Sequence, residues 1–145
     1  MYFQDLKCGM TVRTEPVVMQ KDDMIEFSRK YDNVPLHTDE TYAKGTHFGQ
    51  IIAAGMMSFL VVWAKYLEQD FFGEQLLAGT SQSVAWRKPV FAGDSLYGAA
   101  EITSLTDRSP RNGLAQLTLR VFNQHDELVL TGVTECIVKK REISC

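Results

Sequence analysis

Ile51 to Ala64 reads IIAAGMMSFLVVWA, fourteen residues without a charge, and Ser58 is the one side chain among them with a strong hydrogen-bonding group. A bilayer span needs about 20 apolar residues, so this run predicts a helix buried on nearly all sides of a globular core. The helix is expected to continue through Glu68 and to break before Gly73. Gly55 does not suit it, costing roughly 1 kcal/mol against alanine in a helix interior. A glycine near a helix start points to something approaching its backbone. The free N–H groups of a first turn carry partial positive charge and can hold an anion or a developing oxyanion. Close packing of another element against the glycine is the second reading, and sequence alone leaves both open.

Upstream, Met24, Phe27 and Tyr31 recur at spacings of three and four, with Asp22 and Asp23 leading and Arg29 and Lys30 trailing. That is a helix with its charges ordered as the dipole favours. Pro35 disfavours helical geometry at Val34, so this helix should stop near Asp32 or Asn33. Thr38 or Asp39 can cap a second short helix that ends at Gly45, and Thr46 to Gln50 forms a loop. Nearer the start, Asp5 to Met10 reads as a turn and Thr11 to Met19 as a short strand interrupted at Pro16.

Downstream of Gly73 the periodicity changes to two. Leu77–Trp86, Ser95–Leu105, Leu114–Phe122 and Leu128–Val138 are rich in β-branched, aliphatic and aromatic residues and predict long strands. Ser109–Gly113 and Asn123–Glu127 are the hairpin turns between them, and Lys88–Asp94 separates the first pair. Helices followed by an antiparallel meander give an α+β order, one helix greasy enough to be wrapped by the sheet. Pairing a sheet edge or face with a second copy is a common remedy for the edges such a sheet leaves.

At 145 residues the chain is expected to form a single domain spanning 1–145. A net charge of −3 with no large basic cluster argues against nucleic-acid or membrane-surface partners. The densest basic patch, Lys139 to Glu142, reads as a solvated tail. Cys8, Cys136 and Cys145 form no close pair, so neither a disulfide framework nor a metal site is expected. Reduced thiols fit a cytoplasmic setting. The segment MYFQDLKCGM lacks the apolar stretch and basic start of a secretory signal.

The residues suited to chemistry sit just before the apolar run, in Asp32-Asn33-Val34-Pro35-Leu36-His37. An Asp and a His five apart, on a segment stiffened by proline, can be held at fixed separation without being helical neighbours. Neutral histidine is the most useful general base near neutral pH, and a carboxyl group beside it can share in proton transfer. Turn formation by Asp32 and a backbone contact for His37 are the plainer alternatives.

Asp32-x-x-Pro35-Leu36-His37, followed after five residues by Ala43, resembles the hydratase motif of MaoC-like proteins, which include the (R)-specific enoyl-CoA hydratases. Phe48-Gly49-Gln50-Ile51-Ile52-Ala53-Ala54-Gly55-Met56 resembles that family's loop and central-helix start. Trp86-Arg87-Lys88-Pro89-Val90-Phe91-Ala92-Gly93-Asp94 resembles its later strand and Pro-Val…Gly-Asp turn. The resemblance covers roughly Phe3 to Lys140. It implies a hotdog fold, an antiparallel sheet around one long helix, in a homodimer or higher oligomer. It also implies that Asp32 and His37 activate a water for addition to C3 of a trans-2-enoyl thioester, while the Gly55 N–H polarises the thioester carbonyl.

The acyl group would then run by Ala54, Met56, Met57 and Phe59, residues that are equally ordinary core fillers. His47 is a further candidate for the pocket, and Arg87 and Lys88 can meet coenzyme A phosphates. No resident cofactor is implied, because the coenzyme A or acyl-carrier thioester is the substrate. Val34 stands where the family usually has Asn before the proline, and Ala54 where it often has His before the glycine. Altered substrate choice or weakened activity therefore stays open. So do two other functions, a hotdog thioesterase and a non-catalytic thioester-binding module. The central run carries no acid from Ile51 until Glu68, which counts against hydrolysis.

Overall fold

The computed structural model describes residues 1–142. Two short strands, β1 (Thr11–Arg13) and β2 (Val17–Val18), precede α1 (Lys21–Tyr31), α2 (Pro35–Thr38), α3 (Glu40–Lys44) and α4 (Gly55–Leu67). Four long strands follow: β3 (Leu76–Trp86), β4 (Ser95–Asp107), β5 (Asn112–Phe122) and β6 (Leu128–Lys139). They form an antiparallel sheet in the order β1-β4-β5-β6-β3, and β2 also pairs with β4. The sheet curls over α4, which packs on β4, β5 and β2. This is the α+β hotdog arrangement.

The helix lies down where the sheet lacks side chains. A Cβ on Gly98 of β4 would come 2.7 Å from Val62, and one on Gly132 of β6 would come 2.7 Å from the Phe59 ring. Phe59 and Val62 of α4 are buried against alternating inward residues such as Leu96 and Ile102 of β4 and Leu117 and Leu119 of β5. Each such side chain contributes about 1.5–3 kcal/mol through burial.

Three expectations are corrected. Ile51 to Ala54 is not helical. It is an extended segment, tied by a bridge between Ile52 and Phe91 and by the Ala53 N–H donating to Val90 O at 2.8 Å. An apolar run buried on both sides looks alike as strand or helix, so the boundary falls at Gly55. Nor is α4 covered all round: Met56, Leu60 and Leu67 remain exposed, because the helix rests on one half of the sheet and leaves its β3 side open. Finally, the basic stretch after Val138 is pinned. Lys140 pairs with Asp107, and Arg141 pairs with Asp5 at 2.7 Å, which holds the Asp5 carboxyl below its usual range.

The short helices differ in detail from expectation. Asp39, not Thr38, caps α3, accepting from the Tyr42 N–H at 3.0 Å. Thr38 instead closes α2. Cys8 is exposed and Cys136 buried, where burial pushes its thiol up to about 11. Cys145 lies outside the described residues. No helix among the described residues is long and apolar enough to cross a membrane.

Candidate active site

α1 ends at Tyr31, and Asp32 caps it, its own N–H still donating to Ser28 O at 2.9 Å. Val34 is extended (φ −118°, ψ 149°) ahead of Pro35, and Pro35 opens α2 at its first position. Proline suits that position, since its missing N–H has no partner there anyway. His37 therefore stands in one helical turn rather than in an irregular segment, with its N–H donating to Val34 O at 3.0 Å.

The His37 ring is held by the extended segment that leads into α4. Its Nδ1 lies 2.8 Å from Ile52 O. A carbonyl oxygen only accepts, so Nδ1 carries a hydrogen and the neutral ring keeps its lone pair on Nε2. That Nε2 is 3.5 Å from Asp32 Oδ2. The imidazole side chain is 11 % exposed and the carboxylate 45 %, so the base is shielded while its partner meets solvent. Ile52 is fixed in turn by the Val90–Asp94 turn, which Asp94 locks by accepting from the Phe91 N–H at 2.9 Å.

Asp32 and His37 open onto a cavity of about 410 Å³ that also takes in Gly55, Met56, Arg87 and Lys88. Ala54 precedes α4 and has no side-chain acceptor with which to cap it. The N–H groups of the first turn, which no intrahelical carbonyl can reach, thus start at the cavity. Trp86 of β3 answers the question posed by the glycine: a Cβ on Gly55 would lie 2.5 Å from the indole nitrogen. Only glycine lets the ring lie over the helix start.

Arg87 and Lys88 differ. Lys88 is paired with Glu127, which holds that carboxyl below its ordinary range, and Glu127 also accepts from Asn123 Nδ2 at 3.2 Å. Arg87 is exposed at the cavity rim. Among the described residues, no group of three or more His, Cys, Asp or Glu is placed to hold a metal ion.

Four of the expected residues are not brought to the cavity. Ala54, Met57 and Phe59 belong to the core, at 0 %, 7 % and 3 % exposure: Ala54 closes the buried extended segment, and the helical period turns Met57 and Phe59 inward while Met56 faces out. His47 is exposed and lies on the neighbouring Phe48, ring centroids 4.0 Å apart. Phe48 itself lines the cavity, with Ile52, Ser58, Trp86 and Val90. Ser58 carried a signal, as the lone hydroxyl of the apolar run. Trp86 carried none beyond its place beside Arg87.

Comparisons with known proteins concern the family and the fold. The MaoC like domain family matches residues 4–121. A relative, the uncharacterised protein YdeM of Bacillus subtilis, is 26 % identical over 141 residues, covering 97 % of this chain and 100 % of that one. The (R)-specific enoyl-CoA hydratase of Aeromonas caviae is 35 % identical over 109 residues, 72 % of this chain and 73 % of its own length. A solved (R)-hydratase from A. caviae superimposes with a TM-score of 0.75 at 30 % identity, covering 95 % of this chain and 99 % of that one. Matched over most of its length in sequence and fold, the chain belongs to the MaoC-like dehydratase family.

Proposed function

We propose that this protein is a hydro-lyase that adds water reversibly across the C2=C3 bond of a trans-2-enoyl thioester. The observation that carries the reading is the tautomer of His37. With Nδ1–H tied to the Ile52 carbonyl, the Nε2 lone pair and the Asp32 carboxylate are two acceptors 3.5 Å apart. A water placed against them has a hydrogen for each. As its oxygen bonds to C3, the pair takes one proton, and electron density moves through C2 onto the thioester oxygen. The Gly55 N–H at the start of α4 receives that charge. A proton from the pair then reaches C2 and resets the site. Donors placed for such an oxyanion typically supply about 3 kcal/mol of transition-state stabilisation each.

The first acid on or after α4 is Glu68, thirteen residues and about 20 Å from Gly55 along the axis. α4 itself thus offers no carboxylate near Gly55, and the one at the cavity, Asp32, stands beside His37, an arrangement that favours hydration over hydrolysis. The test is incubation with crotonyl-CoA, following loss of the conjugated-enoyl absorbance and release of free thiol together. Absorbance loss without thiol is the expected result. Thiol release, or no turnover of any enoyl thioester, would overturn the reading.

A second copy of the chain is the occupant we assign to the open side of α4. Among the described residues β3 bonds to β6 on one edge only, and ten of its eleven residues are exposed. Monomeric proteins guard such edges with charges or proline, yet Leu76 to Trp86 contains neither. Leu76, Leu77 and Trp86 continue the exposed stripe of Met56, Leu60 and Leu67, and an antiparallel edge can pair with itself about a twofold axis. Light scattering is expected to give twice the 16.4 kDa chain mass, falling to a single chain in a Leu60→Glu/Leu77→Glu variant. A monomeric parent at micromolar concentration would exclude this assembly.

A further inference from the structure

The Ile52 carbonyl that fixes the His37 tautomer lies outside the strands of the main sheet. Its segment leans on Val90 and Phe91, through the Ile52–Phe91 bridge and the Ala53 N–H donated to Val90 O at 2.8 Å. Those two residues are held from Asp94. One carboxylate oxygen accepts from the Phe91 N–H at 2.9 Å, and the other accepts from Gln124 Nε2 at 2.9 Å. Gln124 Oε1 in turn accepts from the Ser95 N–H at 3.1 Å. Gln124 stands in the turn between β5 and β6, the same turn whose Glu127 pairs with Lys88. One hairpin thus clamps the segment from Lys88 to Asp94 at both ends.

Asp94 does not line the cavity. From its bonds we infer that Asp94 is a positioning residue for the base: it holds Phe91 against Ile52, and so keeps the Ile52 carbonyl on Nδ1 and the lone pair of His37 on Nε2. The inference rests on the hydratase reading and adds to it a residue that touches neither ester nor water.

Neutral histidine in water favours the hydrogen on Nε2. A carbonyl acceptor at Nδ1 reverses that choice, since the bond made by one ring nitrogen sets the state of the other. If Phe91 slackens, Ile52 slackens with it, and Nε2 carries the hydrogen part of the time. In that state it cannot take a proton from water. The Asp94 bond to the Phe91 N–H is charge-assisted, the stronger kind. The far side of the turn has holds of its own, Gly93 N–H to Met19 O and Met19 N–H to Asp94 O, both at 2.8 Å. Loss of the carboxylate therefore releases the Phe91 end and leaves the chain folded.

The experiment reads kcat and KM on crotonyl-CoA, together with the imidazole ¹⁵N signals at about pH 8.5, above the ordinary histidine range. It compares the full-length parent with Asp94→Ala, Asp94→Asn and Gln124→Ala, and His37→Gln identifies the His37 signals among three histidines. The parent is expected to show Nδ1 protonated and Nε2 bare. Asp94→Ala should average the two signals and lower kcat by about tenfold with KM little changed, part of the roughly 10²-fold that a 1 Å misplacement can cost. Asp94→Asn keeps an oxygen for the Phe91 N–H and should restore most of kcat and the parent signals. Gln124→Ala should fall between. A turn that merely supports the fold would lower stability and leave the tautomer alone. A fixed Nδ1–H signal or an unchanged kcat in folded Asp94→Ala overturns the inference. Gln124 is exposed, so if Asp94→Ala fails to fold, Gln124→Ala decides, and unchanged signals there overturn it. An inactive parent overturns the hydratase reading, while the tautomer signals still decide the hold assigned to Asp94.

Discussion

Replacing His37 with Gln is expected to lower kcat for enoyl-CoA hydration by roughly 10²–10⁴-fold, the usual worth of a positioned general base. Glutamine keeps a donor that can reach the Ile52 carbonyl, so the extended segment before α4 should hold its place. What disappears is the basic lone pair on Nε2. Asp32→Asn should act on the same step, because it keeps the shape of the carboxylate and removes its charge. The Asp32 side chain is close to half exposed and takes no part in the core, so unfolding stability should move by no more than about 0.5 kcal/mol. KM should change little in either variant, since neither group is assigned a ground-state contact with the ester. Residues that act as one unit are non-additive, so the double variant should be scarcely worse than the poorer single one. Retention of more than about a tenth of kcat in His37→Gln would remove it from the proton path, against the loss expected for a positioned base.

The parts of this molecule that were legible in sequence are those governed by local pattern. Alternation of apolar residues marked the four long strands, with every end within one residue except the far end of β4 and the start of β5, which differ by two. Asp32 and His37 were legible because a proline between them fixes their spacing. The misreadings have a common cause, which is contact across long sequence separations. Ile51 to Ala54 is as apolar as the helix it precedes, and only its pairing with Val90 and Phe91 makes it extended. Met57 and Phe59 were expected beside the acyl chain, but which face of α4 meets the sheet depends on Gly98 and Gly132, more than 30 residues away. Glycine positions of that kind show a close approach without naming the partner. Nothing local to Gly55 identifies Trp86, and nothing local to Lys88 reveals that Glu127 neutralises it.

Gly55→Ala joins the helix start to that indole, and its expected effect is the second largest here. Alanine is the better helix former by roughly 1 kcal/mol, so propensity alone predicts a more stable protein. The added Cβ, however, would fall 2.4 Å from Trp86 Cε2, and either the ring or the first turn of α4 must move. Trp86 is 48 % exposed, which gives the ring room to swing outward at modest cost in stability. A swing opens the cavity wall, whereas a shift of the turn carries the Gly55 N–H away from the thioester oxygen. A displacement of about 1 Å at such a donor typically costs 10²-fold in rate. We therefore expect kcat/KM to fall about 100-fold in Gly55→Ala while the melting temperature changes little. The two alternatives separate in a double-mutant cycle, since contacting residues couple and distant ones add. If the indole is what displaces the turn, Gly55→Ala/Trp86→Ala should recover most of the activity lost in Gly55→Ala. If the loss persists without the indole, the methyl group itself obstructs the ester at the helix start. Full activity in Gly55→Ala would leave the glycine as a packing device and take the oxyanion role away from its N–H.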